Sequence, residues 1–542
     1  MENGNIVSQL LRPDAYPWYP ETVELIETHI SWVFLAGDRV VKVKRPVVYP
    51  FVDHTTLASR HQSCLDEVRL NRRLTDGVYL AVVSIVQTPA GFRVGGEGTP
   101  IEWATLMRRL PASGMLDTLL RTGAAPTDLA GRLAAHLIPF HRESAPLCGR
   151  TMDIAAAAAR IMTDNLDELA PFAGAPLGAD QLRLVSQAMR RFVTERVALL
   201  RERATAGWIR EGHGDLRAEH VCLEPDGAVQ IFDCVEFNRD VRCADIASDL
   251  AFLLMDLTRL GAPQISTALL TRYRDAGIDL PDELLRFYGA HRALVRAKIA
   301  CLGLAAANPE VAVSLAVKAA DYLDLAAASA VTVRSVLVAM TGLSGTGKST
   351  VAHRLARAFG ARLFASDVVR KDLAGIEGVA PAAWGEGVYR PEWTRATYDR
   401  LFALAEARLS AGEAVVLDAT FLAAEQRQAA AAVAARTGAR LVLVETICDE
   451  GTVAARLAAR AKRGNSPSDA TMATYLRQRA AVTQTPPLLP PGAVAIQVNT
   501  AGTVPVSLDP VFAALTREEI VLPVVPSAPA CKGETVRTRN RR

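Results

Sequence analysis

At 542 residues the chain is too long for one hydrophobic core, so two domains are expected, with room for a further subdomain. Half of the residues are hydrophobic and 22% are charged, which argues against disorder, and no run of about 18 uncharged apolar residues is present to span a bilayer. The formal charge is only +3, and Lys532, Arg537, Arg539, Arg541 and Arg542 against Glu534 concentrate the excess at the C-terminus, so the body lacks the sustained basic field that nucleic-acid binding requires.

The first residues, MENGNIVSQLLRPDAYPWYPETVE, contain no basic segment followed by an apolar stretch, so no secretory signal is expected and the cytoplasm is the default location. The eight cysteines are scattered without a CxxC pair, and no structural zinc is implied. From Ser31 to about Gly91, short β-rich runs flank a helical stretch ending EVRLNRRL, which predicts a small mixed α/β lobe. Alanine-rich helical spacing then dominates from about residue 113 to 210. Within the helical region, HGDLRAEHVCLEPDGAVQIFDCVEF reads as a loop, a strand, a PDG turn and a second strand, before helices resume to about residue 327.

The first domain is expected to cover residues 1–330 and a second one 331–505, with 506–542 as a C-terminal extension whose Pro/Ala/Arg-rich end is disordered. In the second domain SVLVAM, RLFAS, AVVLDAT, RLVLVETI and AVAIQV alternate with helical segments. Apolar strands with helical crossovers predict a parallel sheet covered on both faces, and hence an α/β fold.

Gly342-Leu-Ser344-Gly345-Thr346-Gly347-Lys348-Ser349 fits GxxxxGK[ST] directly after a strand and before a helix, the context of a P-loop. Amides from this loop, continued by Thr350, would converge on ATP phosphates at the positive end of the helix. Lys348 would reach the β- and γ-phosphates, and the Ser349 hydroxyl would bind Mg²⁺. Asp418, ending the strand AVVLDAT, is either a second Mg²⁺ contact or a turn cap. Asp367, just past a strand end, is the candidate to orient or deprotonate an acceptor hydroxyl. Three residues on, Arg370 would bind the acceptor or form a surface salt bridge. Arg456, Arg460 and Arg463, before a Gly/Ser/Pro-rich loop, suit either a closing lid or a solvated helix face.

GLSGTGKST, SDVVRKDLAG, VVLDATF and this arginine-rich segment resemble the small P-loop kinases of the gluconate kinase, zeta toxin and polynucleotide kinase group. The resemblance covers most of residues 335–500 and implies ATP-dependent phosphotransfer without naming the acceptor. His213-Gly214-Asp215, with Asp233 following in IFD, resembles the catalytic and metal-binding segments of aminoglycoside and choline phosphotransferases, which have the protein-kinase-like fold. That resemblance implies that Asp215 orients the substrate hydroxyl and Asp233 holds Mg²⁺. It further implies that Lys42 or Lys44 contacts the phosphates and pairs with Glu67, Lys42 being favoured, and that Met107 and Arg108 form the hinge where adenine docks. One departure stands out: the family pattern HGDxxxxN puts asparagine where this chain has His220. Imidazole is a poor Mg²⁺ ligand. Either Glu219, Glu236 or Asn238 assists, or this lobe binds nucleotide poorly, or it has lost catalysis.

From residue 15 to 505 the chain resembles bacterial proteins described as bifunctional aminoglycoside phosphotransferase/ATP-binding proteins. The implied function is an ATP- and Mg²⁺-dependent phosphotransferase acting on a small hydroxyl compound, with one or two phosphotransfer sites. A rival reading is an ATP-binding regulatory or stress protein whose front domain is a non-catalytic binding module. A polynucleotide end kinase is a third, disfavoured by the near-neutral body. Oligomeric state is not legible from the sequence.

Overall fold

The computed structural model describes residues 3–49, 52–146, 154–333, 335–375, 390–463, 470–484, 490–501, 508–515 and 520–521. The basic C-terminal residues, the Gly/Ser/Pro loop after Arg463, the Arg463 side chain, Cys148 and Cys531 lie outside the described set. The chain separates into two compact units, Met1–Ser329 and Ala330–Arg542. Among the described residues no helix is long and apolar enough to cross a membrane.

The front unit begins with a six-stranded sheet whose spatial order is Val23–Glu27, Ser31–Ala36, Arg39–Lys44, Pro100–Arg108, Tyr79–Thr88 and Gly91–Val94. Every neighbouring pair is antiparallel. Phe34, Val41, Val43, Ile85 and Ala104 pack with Tyr16 and Trp32 in the sheet's core. The helix Leu57–Asn71 is started by Thr56, whose side chain accepts from the Ser59 amide, and it buries Cys64, Glu67, Val68 and Asn71. The lobe therefore extends beyond Gly91. Pro100–Arg108 inserts between two earlier strands, a long-range pairing that local periodicity does not encode.

The residues expected to form the hinge end that strand. Met107 is buried against Val40, Val68 and Tyr79, and Arg108 is bound to Glu224 at 2.7 Å, so both belong to the sheet. Helices follow, among them Ile246–Arg259, Asp282–Leu302 and Pro309–Ala330. Ile246–Arg259 is buried from Ile246 through Leu257, as its nearly unbroken apolar sequence requires. The hairpin Val221–Leu223 and Val229–Ile231 turns through Gly227, at φ +90°, as the PDG reading anticipates.

The second unit is a five-stranded, wholly parallel sheet in the order Arg362–Ala365, Val415–Asp418, Val336–Thr341, Arg440–Ile447 and Val494–Asn499. Val336 through Met340 and all of Val415–Asp418 are buried, the signature of strands covered on both faces. Leu337, Val415 and Leu417 pack with Leu401, Ala405, Val433 and Leu443 in one core.

Two described pieces fall within the expected C-terminal extension. Asp509–Ala514 is a helix whose Phe512 meets Phe359 edge-on at 5.0 Å. Ile520–Val521 then pairs antiparallel with Thr332–Val333.

Candidate functional site

Strand order places Val336–Thr341, the first strand of the parallel sheet in sequence, beside Val415–Asp418, with the P-loop leaving the carboxyl end of the former. Open α/β sheets bind ligands at such an edge. Gly342, Gly345 and Gly347 all take positive φ, at +122°, +83° and +92°. At Gly345 an added Cβ would sit 2.9 Å from Val453, so both the turn and the close approach require glycine. The helix Lys348–Phe359 follows at once, aiming its free amides back into the loop.

Lys348 is turned back onto its own loop, its Nζ donating to the Leu343 carbonyl at 2.6 Å. Burial depresses its pKa to about 8, with Asp418 and Asp367 partly opposing that shift. Burial raises the Asp418 carboxyl, and the nearby Ser349 hydroxyl and Lys348 partly oppose that shift. A hydroxyl beside a carboxylate at a strand end is a hard oxygen pair suited to Mg²⁺. Thr346 spends its hydroxyl on Leu343 O (2.8 Å) and Thr446 (2.7 Å), so its side chain locks the loop.

A cavity of about 1770 Å³ opens in front of the loop. Ser344, Gly345, Gly347, Lys348, Ser349 and Thr350 line it, together with Asp367, Arg370, Asp418 and Arg460. Gly342 and Thr346 are not among its lining residues. Asp367 sits in the first turn of the helix Ser366–Ala374, and Arg370 one turn on donates to it at 2.9 Å. Arg370 is buried, so the open reading of this pair resolves to an ion pair on the cavity wall and not on the outer surface.

Arg456 departs from the lid expectation. Its guanidinium binds Thr500 Oγ1 at 3.0 Å and Thr500 O at 2.5 Å, and Thr500 in turn donates to the Thr346 carbonyl at 2.7 Å. Arg456 thus braces the P-loop from outside the cavity, whereas Arg460 lines it. Sequence reading missed Gln478 on the helix Met472–Gln484. Its Oε1 accepts from the buried Ser344 amide at 2.8 Å, taking a P-loop donor that a phosphate oxygen could otherwise use.

In the front unit the two lysines are both engaged, which settles neither alone as the partner of Glu67. Lys42 Nζ lies 2.6 Å from Glu67 and 2.5 Å from Asp233, and Lys44 lies 2.9 Å from Glu67 and also contacts Glu236. Burial disfavours the Lys42 ammonium, but Asp233 and Glu67 outweigh it and hold its pKa well above the ordinary value. Burial wins at Glu236, whose carboxyl is raised despite Lys44.

Asp233 stands at φ +65°, uncommon for a non-glycine residue, and is fixed there by hydrogen bonds from its amide to Tyr79 and from the Cys234 amide to Asn71. Burial opposes its charge, yet Lys42 and then His220 hold it far below the usual carboxylate range. Asp215 is gripped through both oxygens by Arg217, at 3.0 and 2.9 Å. Burial again opposes ionisation, and Arg217 and then His220 overcome it, leaving Asp215 strongly depressed. Beneath it Asp249 accepts from the His213 and Gly214 amides at 2.5 and 2.8 Å and so holds the turn.

A guanidinium only donates, so Arg217 Nη2 donates to His220 Nε2 at 3.0 Å, and the opposite Nδ1 donates to Asp215 O at 2.9 Å. Burial and Arg217 lower the His220 pKa to about 4, so the ring is neutral with both nitrogens committed. Each of the three proposed substitutes already has a partner in the fold: Glu236 holds Lys44, Asn238 caps Arg239–Arg242, and Glu219 pairs with Arg217. Asp233 fits one hard cation, with its side chain 40% exposed, but the donors around Asp215 and His220 do not fit a second.

Residues 337–485 match the family described as AAA domain. Over 476 residues the chain is 33% identical to the uncharacterized protein Rv2004c of Mycobacterium tuberculosis (strain H37Rv), covering 86% of this chain and 92% of that protein. It matches Mb2027c of Mycobacterium bovis equally well. Among solved structures, the aminoglycoside phosphotransferase APH(3'')-Id from Streptomyces rimosus is 18% identical, with 54% of this chain and 99% of that one covered and a TM-score of 0.34. A gluconokinase from Sinorhizobium meliloti is 22% identical, with 30% and 82% covered and a TM-score of 0.19. At these identities the likeness concerns fold alone. Both units mix helices and sheet: the front unit joins an antiparallel sheet to a set of helices, and the second carries a P-loop on a parallel sheet flanked by helices, within the stretch that matches the AAA domain.

Proposed function

The chain belongs to the family that includes Rv2004c of Mycobacterium tuberculosis, and we propose that it is an ATP-dependent phosphotransferase which passes the γ-phosphate to a hydroxyl of a small molecule bound in the second unit. The observation that carries this reading is convergence: P-loop, Asp418, Asp367, Arg370 and Arg460 all line one cavity.

In this reading the P-loop amides and Lys348 cradle the phosphates, and Lys348 exchanges the Leu343 carbonyl for phosphate oxygen. Ser349 and Asp418 would hold Mg²⁺, which when bound neutralises phosphate charge. Asp367 accepts a hydrogen bond from the acceptor hydroxyl and aligns its oxygen with the γ-phosphorus, while Arg370 keeps the carboxylate in place. The acceptor oxygen bonds to phosphorus as the β–γ bridging oxygen leaves with ADP, and the hydroxyl proton passes to Asp367. Arg460, on the cavity wall, supplies a cation for charge on the transferring group.

Acceptor-dependent ADP release measured across a panel of hydroxyl compounds tests this. Lys348→Ala should abolish it, and Asp367→Asn should lower kcat by about 100-fold or more with the KM for ATP little changed. Turnover that no hydroxyl compound stimulates would reject the kinase reading.

A second reading, in which the front unit is a binding module and not a second kinase, draws support from the Arg217–His220 arrangement. Calorimetric titration of Mg-ATP separates the two. One site lost only in Lys348→Ala favours the module, and a second site lost in Asp233→Ala favours a double kinase.

A further inference from the structure

The strand that carries Asp418 ends in a turn with an uncommon backbone. Val415–Asp418 pairs with Arg362–Ala365 in a register that sets Asp418 opposite Ala365, two residues before Asp367, so both carboxylates leave neighbouring strands at one edge of the sheet. Three residues beyond Asp418, Phe421 stands at φ +45°, in the left-handed region that a bulky side chain rarely enters. Such a conformation is costly and persists only where its surroundings over-determine it. Packing accounts for the ring, which is fully buried and meets Tyr398 edge-on at 5.3 Å. It does not set φ, because apolar burial has no direction.

Two buried polar side chains, from different helices, hold the backbone. Tyr398, on Pro391–Ser410, accepts from the Phe421 amide at 3.2 Å. Arg427, on Ala424–Thr437, donates to the Phe421 and Leu422 carbonyls at 2.7 and 2.8 Å. Taking a guanidinium out of water to bind two carbonyls of one turn is itself costly. The turn so fixed belongs to the proposed transfer site: Tyr398, Thr420 and Leu422 line the same cavity as Asp367 and Asp418.

We infer that Tyr398 and Arg427 are positioning residues for Asp418: by holding the turn 419–422 in its left-handed form they end the strand at Asp418 and keep its carboxylate at the cavity edge. The inference rests on the reading that Ser349 and Asp418 hold Mg²⁺. Neither Tyr398 nor Arg427 touches the metal in this scheme. They act through the backbone, so that a hard cation meets a carboxylate already in place and no ordering is left for the binding step.

The test is calorimetric titration of ATP into the full chain carrying Asp233→Ala, once with Mg²⁺ and once with EDTA, the ratio of the two affinities being the readout. Tyr398→Phe keeps the ring against Phe421 and removes only the hydroxyl. It should weaken Mg-ATP about tenfold or more and leave metal-free ATP within about twofold. Arg427→Lys keeps the charge but loses the fork that spans both carbonyls, and should move the ratio the same way by several-fold. Lowered melting temperatures in both variants with the parent ratio unchanged would overturn the inference, because the turn would then serve stability alone. Asp418→Asn sets the scale and should abolish the Mg²⁺-dependent gain; if the gain survives, the metal reading of Asp418 fails and this inference with it. A panel in which no hydroxyl compound stimulates turnover would reject the kinase reading and leave the ratio as it is.

Discussion

Gln478→Ala offers a two-sided test of how the P-loop is kept before nucleotide arrives. In the empty protein the Gln478 side chain satisfies the buried Ser344 amide at 2.8 Å, with Gln478 only 5% exposed. Removing the acceptor leaves that donor unmet, which costs about 1–3 kcal/mol. At about 3 °C per kcal/mol for a unit of this size, the melting of the empty second unit should fall by roughly 3–9 °C. If phosphate oxygen takes over the amide, the nucleotide-bound state carries no such penalty. The same free energy then reappears as affinity, so Mg-ATP should bind about 5- to 150-fold more tightly to the variant. Thermal melts with and without Mg-ATP, together with calorimetry, close the cycle. A lowered melting temperature with unchanged or weaker ATP binding would refute the argument, because Gln478 would then hold the loop in both states.

Other substitutions separate bracing from chemistry. Arg460→Ala should lower kcat by about 100-fold, whereas Arg456→Ala should lower stability through the lost Thr500 contacts and leave kcat at saturating ATP within a few-fold; equal kcat losses would contradict their assignment to different sides of the loop. Glu67→Gln removes the carboxylate shared by Lys42 and the fully buried Lys44, and should destabilise the front unit by about 3–5 kcal/mol in denaturant titration. Burial, then Lys44 and Arg60, lower the His54 pKa to about 4. Because the fold favours the neutral ring, its contribution is complete above the ordinary value near 6.5 and is lost as pH falls toward 4. The resulting slope, about 3 kcal/mol across that window, should flatten in His54→Gln.

The P-loop could be read directly because its geometry is encoded in eight consecutive residues, and Asp418 because a carboxylate closes an apolar strand. The arginines after Glu450 were harder. Spacing puts Arg456 and Arg460 on one helix face, yet Thr500, far along the chain, captures the first and leaves the second to the cavity. Gln478, Arg217 and Asp249 escaped notice for the same reason: each acts through a long-range or loop contact, and no local pattern marks it. In the front sheet the choice between Lys42 and Lys44 had no answer in the strand itself, since Glu67 reaches both. His220 was visible as a departure, but only the Arg217 donor shows why an imidazole suits that position: a neutral ring accepts from a guanidinium where asparagine in the family pattern would face a metal.

The pairing of Thr332–Val333 with Ile520–Val521 joins the entry and exit strands of the second unit side by side. A module whose ends meet can be lifted out or inserted elsewhere without threading its chain through a neighbour. A fragment cut at 505 would strip the helix carrying Phe512 from Phe359 and expose an apolar surface where the intact module presents a closed seam.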